Sequence, residues 1–271
     1  ENMSIFQYTF FQNALLGALL ASVVCGIMGT YIVSRRLVFI SGGITHASFG
    51  GIGIGVFFGI NPIMSAMVYA VLSAFGVEWL STKVKVREDS AIALFWTFGM
   101  SVGILFSFLT PGFMPDLPSF LFGSILTIGT SDLWLLSAVT ALVALVFVLL
   151  YRTIISIAFD ATFAQSQRLP VHAVEYLLMA LIAMTIVSTL RMVGIVLAIS
   201  MLTIPQMTAN LFTYRFGHII FLSIIIGWVN CLMGLMLSYW LNVPSGAAII
   251  FSAIIIYMLL WAIKSLVFKF K

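Results

Sequence analysis

The chain has 271 residues, of which 62% are hydrophobic and only 7% charged, with a formal net charge of +4. A soluble domain of this length needs far more charged surface, so the composition excludes a water-soluble enzyme and requires an integral membrane protein. Runs such as VTALVALVFVLLY (139–151) lack the apolar–polar alternation of barrel strands, so the chain is expected to be an all-α, polytopic helical bundle.

Spans need about 20 apolar residues each. In chain order they are expected at 11–33, 38–59, 62–81, 90–110, 131–151, 171–190, 192–213, 217–240 and 245–265: nine in all, or eight if one is re-entrant. The first run is long enough to remain as a span rather than be removed as a signal peptide. Between 111 and 130, PGFMPDLPSFLFGSILTIGT carries three prolines and reads as a surface or re-entrant piece. With nine spans, Arg35, Arg36, Lys83, Lys85, Arg87, Arg152, Arg168, Arg215, Lys264, Lys269 and Lys271 share one side, and only Arg191 falls opposite. Basic short loops mark the cytoplasm, so the N-terminus is expected outside and the C-terminus inside the cell membrane. The positive charge therefore records topology and implies no nucleic-acid partner. No carboxylate falls clearly at mid-membrane, which disfavours a proton- or sodium-coupled mechanism. Cys25 and Cys231 lie in apolar runs and read as small core residues.

The second run contains SGGITHASFGGIGIG (41–55). His46 lies ten residues beyond Arg36, so at 1.5 Å per residue it sits about 15 Å deep, near the midplane. Ser41, Thr45 and Ser48 add hydroxyls on neighbouring turns. Glycines 42, 43, 50, 51 and 53 are expected to thin the wall of a path and to let two protomers approach. The residues alone leave two readings open: a packing helix whose histidine bonds to a neighbour, or a metal contact with neutral imidazole as ligand.

The seventh run, RMVGIVLAISMLTIPQMTANLF (191–212), is broken by Pro205, which removes a ladder hydrogen bond. Thr203, Gln206, Thr208 and Asn210 surround the break, and Met201 and Met207 bracket it. An interrupted helix at mid-depth lines a substrate path or is a kink satisfied by Thr203 and water. After the fifth span, SIAFDATFAQSQRLPVHAVEY (156–176) places Phe159 and Phe163 on one helical face, with Asp160 as its cap. These aromatics fit a partner groove or the headgroup layer. His172 and His218 fall at span ends and read as interfacial.

These segments in order resemble the permease subunit of the metal-ion type of ABC importer. The likeness rests on RRLVFISGGITHASFGG, REDSAIALFW (87–96), PSFLFGSIL (118–126), AFDATFA (158–164), MVGIVLAISMLTIPQMTA (192–209) and VPSGAAIIF (243–251), and it covers nearly the whole chain. It implies a single permease domain over 1–271 acting as a homodimer. It further implies two ATPase subunits on the cytoplasmic side and an extracytoplasmic metal-binding protein. A coupling helix near 157–168 would dock on the ATPase through Phe159, Asp160, Phe163 and Ala164. His46 aligns with the family's metal contact, and Ser41, Gly42, Thr45, Met201 and Met207 fall along the same path. The chain departs from the family pattern at Gly42, where an Asp is usual, and at Arg168, where Gly is frequent. Zinc, manganese or iron would be the transported ion, with no tightly bound cofactor. Losing a hard carboxylate weakens manganese most, which favours zinc. There is no GxxxxGK[ST] loop, so ATP is bound by a partner and the chain is not itself an enzyme. The competing reading is a self-contained secondary transporter or channel for a metal ion.

Overall fold

The computed structural model describes residues 9–112 and 128–269, and among these every regular element is helical. The helices are α1 (Thr9–Ser34), α2 (Val38–Phe57), α3 (Pro62–Thr82), α4 (Glu88–Leu109), α5 (Thr130–Phe159), α6 (Ala161–Ser166), α7 (Val171–Met201), α8 (Ile204–Ala209), α9 (Phe216–Leu241) and α10 (Ser245–Lys269). The PSFLFGSIL motif and most of the 111–130 segment lie outside the described residues.

Local sequence sets the ends. Asn61 caps α3, its side chain accepting the Ile63 N–H at 3.0 Å, with Pro62 at the first helical position where no N–H is needed. Asp160 caps α6 in the same way. Inside α7, Gly194 takes φ +73° and ψ 170°, a conformation that only glycine adopts without strain, and the helix kinks there.

Among the described residues, eight helices are long and apolar enough to cross a membrane: α1 to α5, the Val171–Leu190 part of α7, α9, and the Ser245–Leu266 part of α10. The ninth expected span, 192–213, is not one helix. A shorter apolar segment, Gly194–Ala209, stands in its place, interrupted between α7 and α8. Its flanks have separate neighbours. Leu190 lies beside Asn61 and Pro62 of the α2–α3 turn, whereas Phe216, just past the segment, packs edge-on to Tyr151 near the opposite end. Among the described residues, eight continuous helices are thus of crossing length, with the interrupted Gly194–Ala209 segment between the Val171–Leu190 part of α7 and α9.

The Gly-rich face of α2 is covered by helices of the same chain. A Cβ on Gly53 would lie 2.5 Å from the Gly103 carbonyl oxygen, one on Gly50 2.8 Å from the Gly99 oxygen, and one on Gly51 2.6 Å from the Ser65 oxygen. Small residues let α2 meet α3 and α4 backbone to backbone, where dispersion rather than a hydrophobic drive holds membrane helices together. The expectation that glycines 43, 50, 51 and 53 face a second protomer is therefore corrected. They are spent on packing within the protomer.

Candidate functional site

Helix α2 is almost entirely enclosed. From Ile40 to Gly53 every residue is buried except His46, which is partly exposed. Its ring stacks on the indole of Trp96 from α4, with centroids 4.5 Å apart and planes 6° from parallel. Phe39 leans on the same indole at 5.7 Å. His46 Nδ1 is buried and has no hydrogen-bond partner. The packing-helix reading, in which this histidine bonds to a neighbour, therefore lacks its bond at that nitrogen. Gly42, one turn before, lies beside the same indole. A Cβ there would touch Ile199 Cδ1 at 3.7 Å and Trp96 Cζ3 at 3.8 Å.

Ser41 and Thr45 do not share this outlook. Both are fully buried. Ser41 donates to the Val38 carbonyl at 2.6 Å and Thr45 to the Ser41 carbonyl, while Ser48 donates to the Thr45 carbonyl at 2.6 Å. Each hydroxyl hydrogen is thus returned to its own helix, the usual solution for Ser and Thr in an apolar setting.

Several groups freed by the break around Pro205 find partners, while Gln206 Oε1 is buried without one. Leu202 N–H donates to Ala198 O, and Thr203 N–H to Ser200 O at 3.2 Å. The Thr203 hydroxyl takes Ile199 O at 2.9 Å. Pro205 has no N–H for Met201 O, and Gln206 Nε2 donates to that oxygen at 3.3 Å while also donating to Cys25 O of α1 at 2.8 Å. Gly29 leaves the space for this amide, since a Cβ there would lie 2.4 Å from Gln206 Nε2. Gln206, fully buried, is a staple between the broken crossing and α1. Sequence reasoning noted it only as a polar neighbour of the proline.

The two methionines differ in setting. Met201 is buried, with its sulfur 3.7 Å from the Cys231 thiol of α9, whereas Met207 is 43% exposed. Cys25 and Cys231 are buried free thiols, as expected.

At the other expected site, Asp160 Oδ1 accepts the Phe163 N–H at 2.9 Å, starting the six-residue α6. Phe159 and Phe163 are 69% and 57% exposed, so two aromatic faces stand out beside a charged cap. Ala164 is fully buried and anchors the short helix to its own chain, which removes it from the expected docking surface. Arg168 takes φ +58°, the left-handed conformation that glycine adopts more cheaply. Its N–H closes the turn on Gln165 O at 2.9 Å.

Arg35 was not anticipated as a contact. It donates to Ile157 O, two residues before Phe159, at 3.3 Å and pairs with Glu175 of α7 at 2.9 Å. One guanidinium thus ties the end of α1 to both flanks of α6. Trp96 was missed as well. It closes the quoted segment REDSAIALFW, but nothing in helical period says that this position meets His46.

Comparison with known proteins places these features. A membrane protein of Synechocystis is 39% identical over 258 residues, covering 95% of this chain and 92% of the relative. The manganese transport system membrane protein MntC of Halalkalibacterium halodurans is 32% identical over 255 residues, 94% of this chain and 87% of that protein. Among solved structures, PsaBC from Streptococcus pneumoniae in complex with Fab superposes with a TM-score of 0.83 at 27% identity, covering 94% of this chain and 92% of that one. The profile of the ABC 3 transport family matches residues 7–264, and this chain belongs to that family.

Proposed function

We propose that the chain is the membrane-spanning subunit of an ATP-driven importer of divalent metal ions, with zinc favoured over manganese and iron as cargo. It is one permease domain that works as a homodimer. His46 of each protomer is the transient contact in the path, and Met207 and Gly42 lie along it. Two ATPases dock at the Arg35 end through Phe159 and Phe163, and a metal-binding protein delivers cargo at the other end. The N-terminus is outside and the C-terminus in the cytoplasm, because the basic turns gather at one end.

The observation that carries this reading is that His46 is the one residue between Ile40 and Gly53 that is not buried. An accessible imidazole without a buried acceptor suits a ligand that must bind and release. The names of relatives support the cargo class: MntC belongs to a manganese transport system. The exposed pair Phe159 and Phe163 suits a partner cleft, and burying one such ring is worth on the order of 2 kcal/mol.

The test is metal uptake by vesicles holding the permease and its ATPase. His46→Ala abolishes uptake while leaving the complex assembled. The Phe159→Ala/Phe163→Ala pair uncouples ATP turnover from the permease and lowers co-purification. Normal uptake by His46→Ala removes the ring from the path. Uptake that continues without any ATPase favours a self-contained transporter instead.

A further inference from the structure

The surroundings of His46 carry more than a metal contact. A buried histidine that binds metal ordinarily donates its second nitrogen to a carbonyl or carboxylate, which fixes tautomer and ring direction. Here Nδ1 is buried without a partner, and the ring is held by its face. The holder is fixed in turn. Close packing holds α4 against α2 on either side of Trp96: a Cβ on Gly43 would meet the Ile92 side chain at Cγ2, 2.2 Å away, and one on Gly99 would meet the Ala47 backbone at Cα, 2.5 Å away. Phe39 leans on the indole from the next turn down α2.

The same indole also borders position 42. A methyl group on Gly42 would sit in ordinary contact with Ile199 Cδ1 at 3.7 Å and Trp96 Cζ3 at 3.8 Å. Hard divalent ions such as manganese prefer oxygen ligands, whereas imidazole nitrogen suits zinc. Among the described residues no cluster of three His, Cys, Asp or Glu side chains could hold a metal.

We propose that Trp96 is a specificity-determining residue: its indole holds the His46 imidazole by stacking and fills the space beside Gly42 where an anionic side chain would complete a hard-cation site. Each protomer then offers one neutral nitrogen, and zinc is selected over manganese. This rests on the reading of His46 as the metal contact, and it makes Trp96 a positioning residue that acts through that ring.

The experiment uses the full-length permease in lipid nanodiscs, with Zn2+ and Mn2+ titrated separately against a chelating dye. Trp96→Leu keeps an apolar side chain and loses the aromatic face, and it lowers zinc affinity by about 10- to 100-fold, the usual effect of removing a group that orients a ligating histidine. Trp96→Phe keeps a stacking face and retains most of the affinity. A role in packing alone would not separate these two variants. Gly42→Asp with Trp96 in place gains no manganese affinity, whereas Gly42→Asp/Trp96→Ala gains about tenfold, as a hard oxygen ligand should. Equal zinc affinity and an equal zinc-to-manganese ratio in wild type, Trp96→Leu and Trp96→Phe overturn the proposal. So does a manganese gain from Gly42→Asp alone. His46→Ala separates the two levels: if it binds zinc like the wild type, the metal-contact reading itself fails. If it loses zinc while Trp96→Leu does not, only the role of Trp96 fails. The Leu and Phe variants decide the matter even if the double variant does not assemble.

Discussion

Helix α2 and the crossing from Gly194 to Arg215 both carry polar side chains through the bundle, and they dispose of them differently. In α2 the backbone ladder runs unbroken from Val38 to Phe57, and Ser41, Thr45 and Ser48 add a second bond to carbonyls within their own helix. In the broken crossing the ladder itself is open, and side chains are its partners: Thr203 for Ile199 O and Gln206 for Met201 O. A hydroxyl that returns to its own helix adds little, because the carbonyl it bonds is already paired. An amide that replaces a missing N–H is structural, because an unpaired carbonyl in an apolar interior costs its full desolvation. The first arrangement gives a stiff wall behind His46. The second gives a joint whose bonds can be exchanged.

The largest effect is expected where the stiff wall meets its neighbour. Gly53→Val drives a side chain into the Gly103 backbone, which cannot yield as a side-chain tip would. It should cost about 3 kcal/mol and scatter the protein on size exclusion. A variant that stays monodisperse with unchanged melting would mean that α2 and α4 are not locked there.

Next comes the staple. Gln206→Leu leaves Met201 O without its donor and removes a tie to Cys25 O, for a loss of about 2 kcal/mol in thermal stability in lipid. Smaller again is the coupling between Gln206 and Pro205. Pro205→Ala restores an N–H for Met201 O, so Gln206→Leu should be less costly in that background, by about 1 kcal/mol in a double-mutant cycle. Strict additivity would show that the amide serves only the contact with α1. The smallest effect belongs to the intact helix: Ser48→Ala should change stability by less than about 0.5 kcal/mol, since the Thr45 carbonyl keeps its helical bond. A loss as large as that of Gln206→Leu would erase the distinction between the two regions.

Much of each region is legible in the residues alone. Span positions follow from length and hydropathy, and the proline at 205 announces the break. Asp160 before ATFA announces the cap of α6. The joint at Gly194 is less visible, because a glycine within an apolar run signals small-residue packing as readily as a positive φ. The site is only half legible. His46 stands out by chemistry, but the residue that holds it is fifty positions away on α4, inside a segment with no titratable group at its end.

The amino-acid sequence by itself determines that this chain is a bundle of apolar helices, where each begins, which crossing is interrupted and which end bears the basic turns. Those properties depend on local chemistry: apolar run length, caps, a missing N–H and the distribution of Lys and Arg. Only the tertiary structure decides that the α2 glycines serve α3 and α4, that Met201 turns towards Cys231, that Gln206 reaches Met201 O, and that Trp96 lies flat on His46. In a soluble helix a polar face tells the inside from the outside. In a membrane bundle lipid and core are equally apolar, so a helix carries the period of its faces and no label saying which neighbour each face will meet.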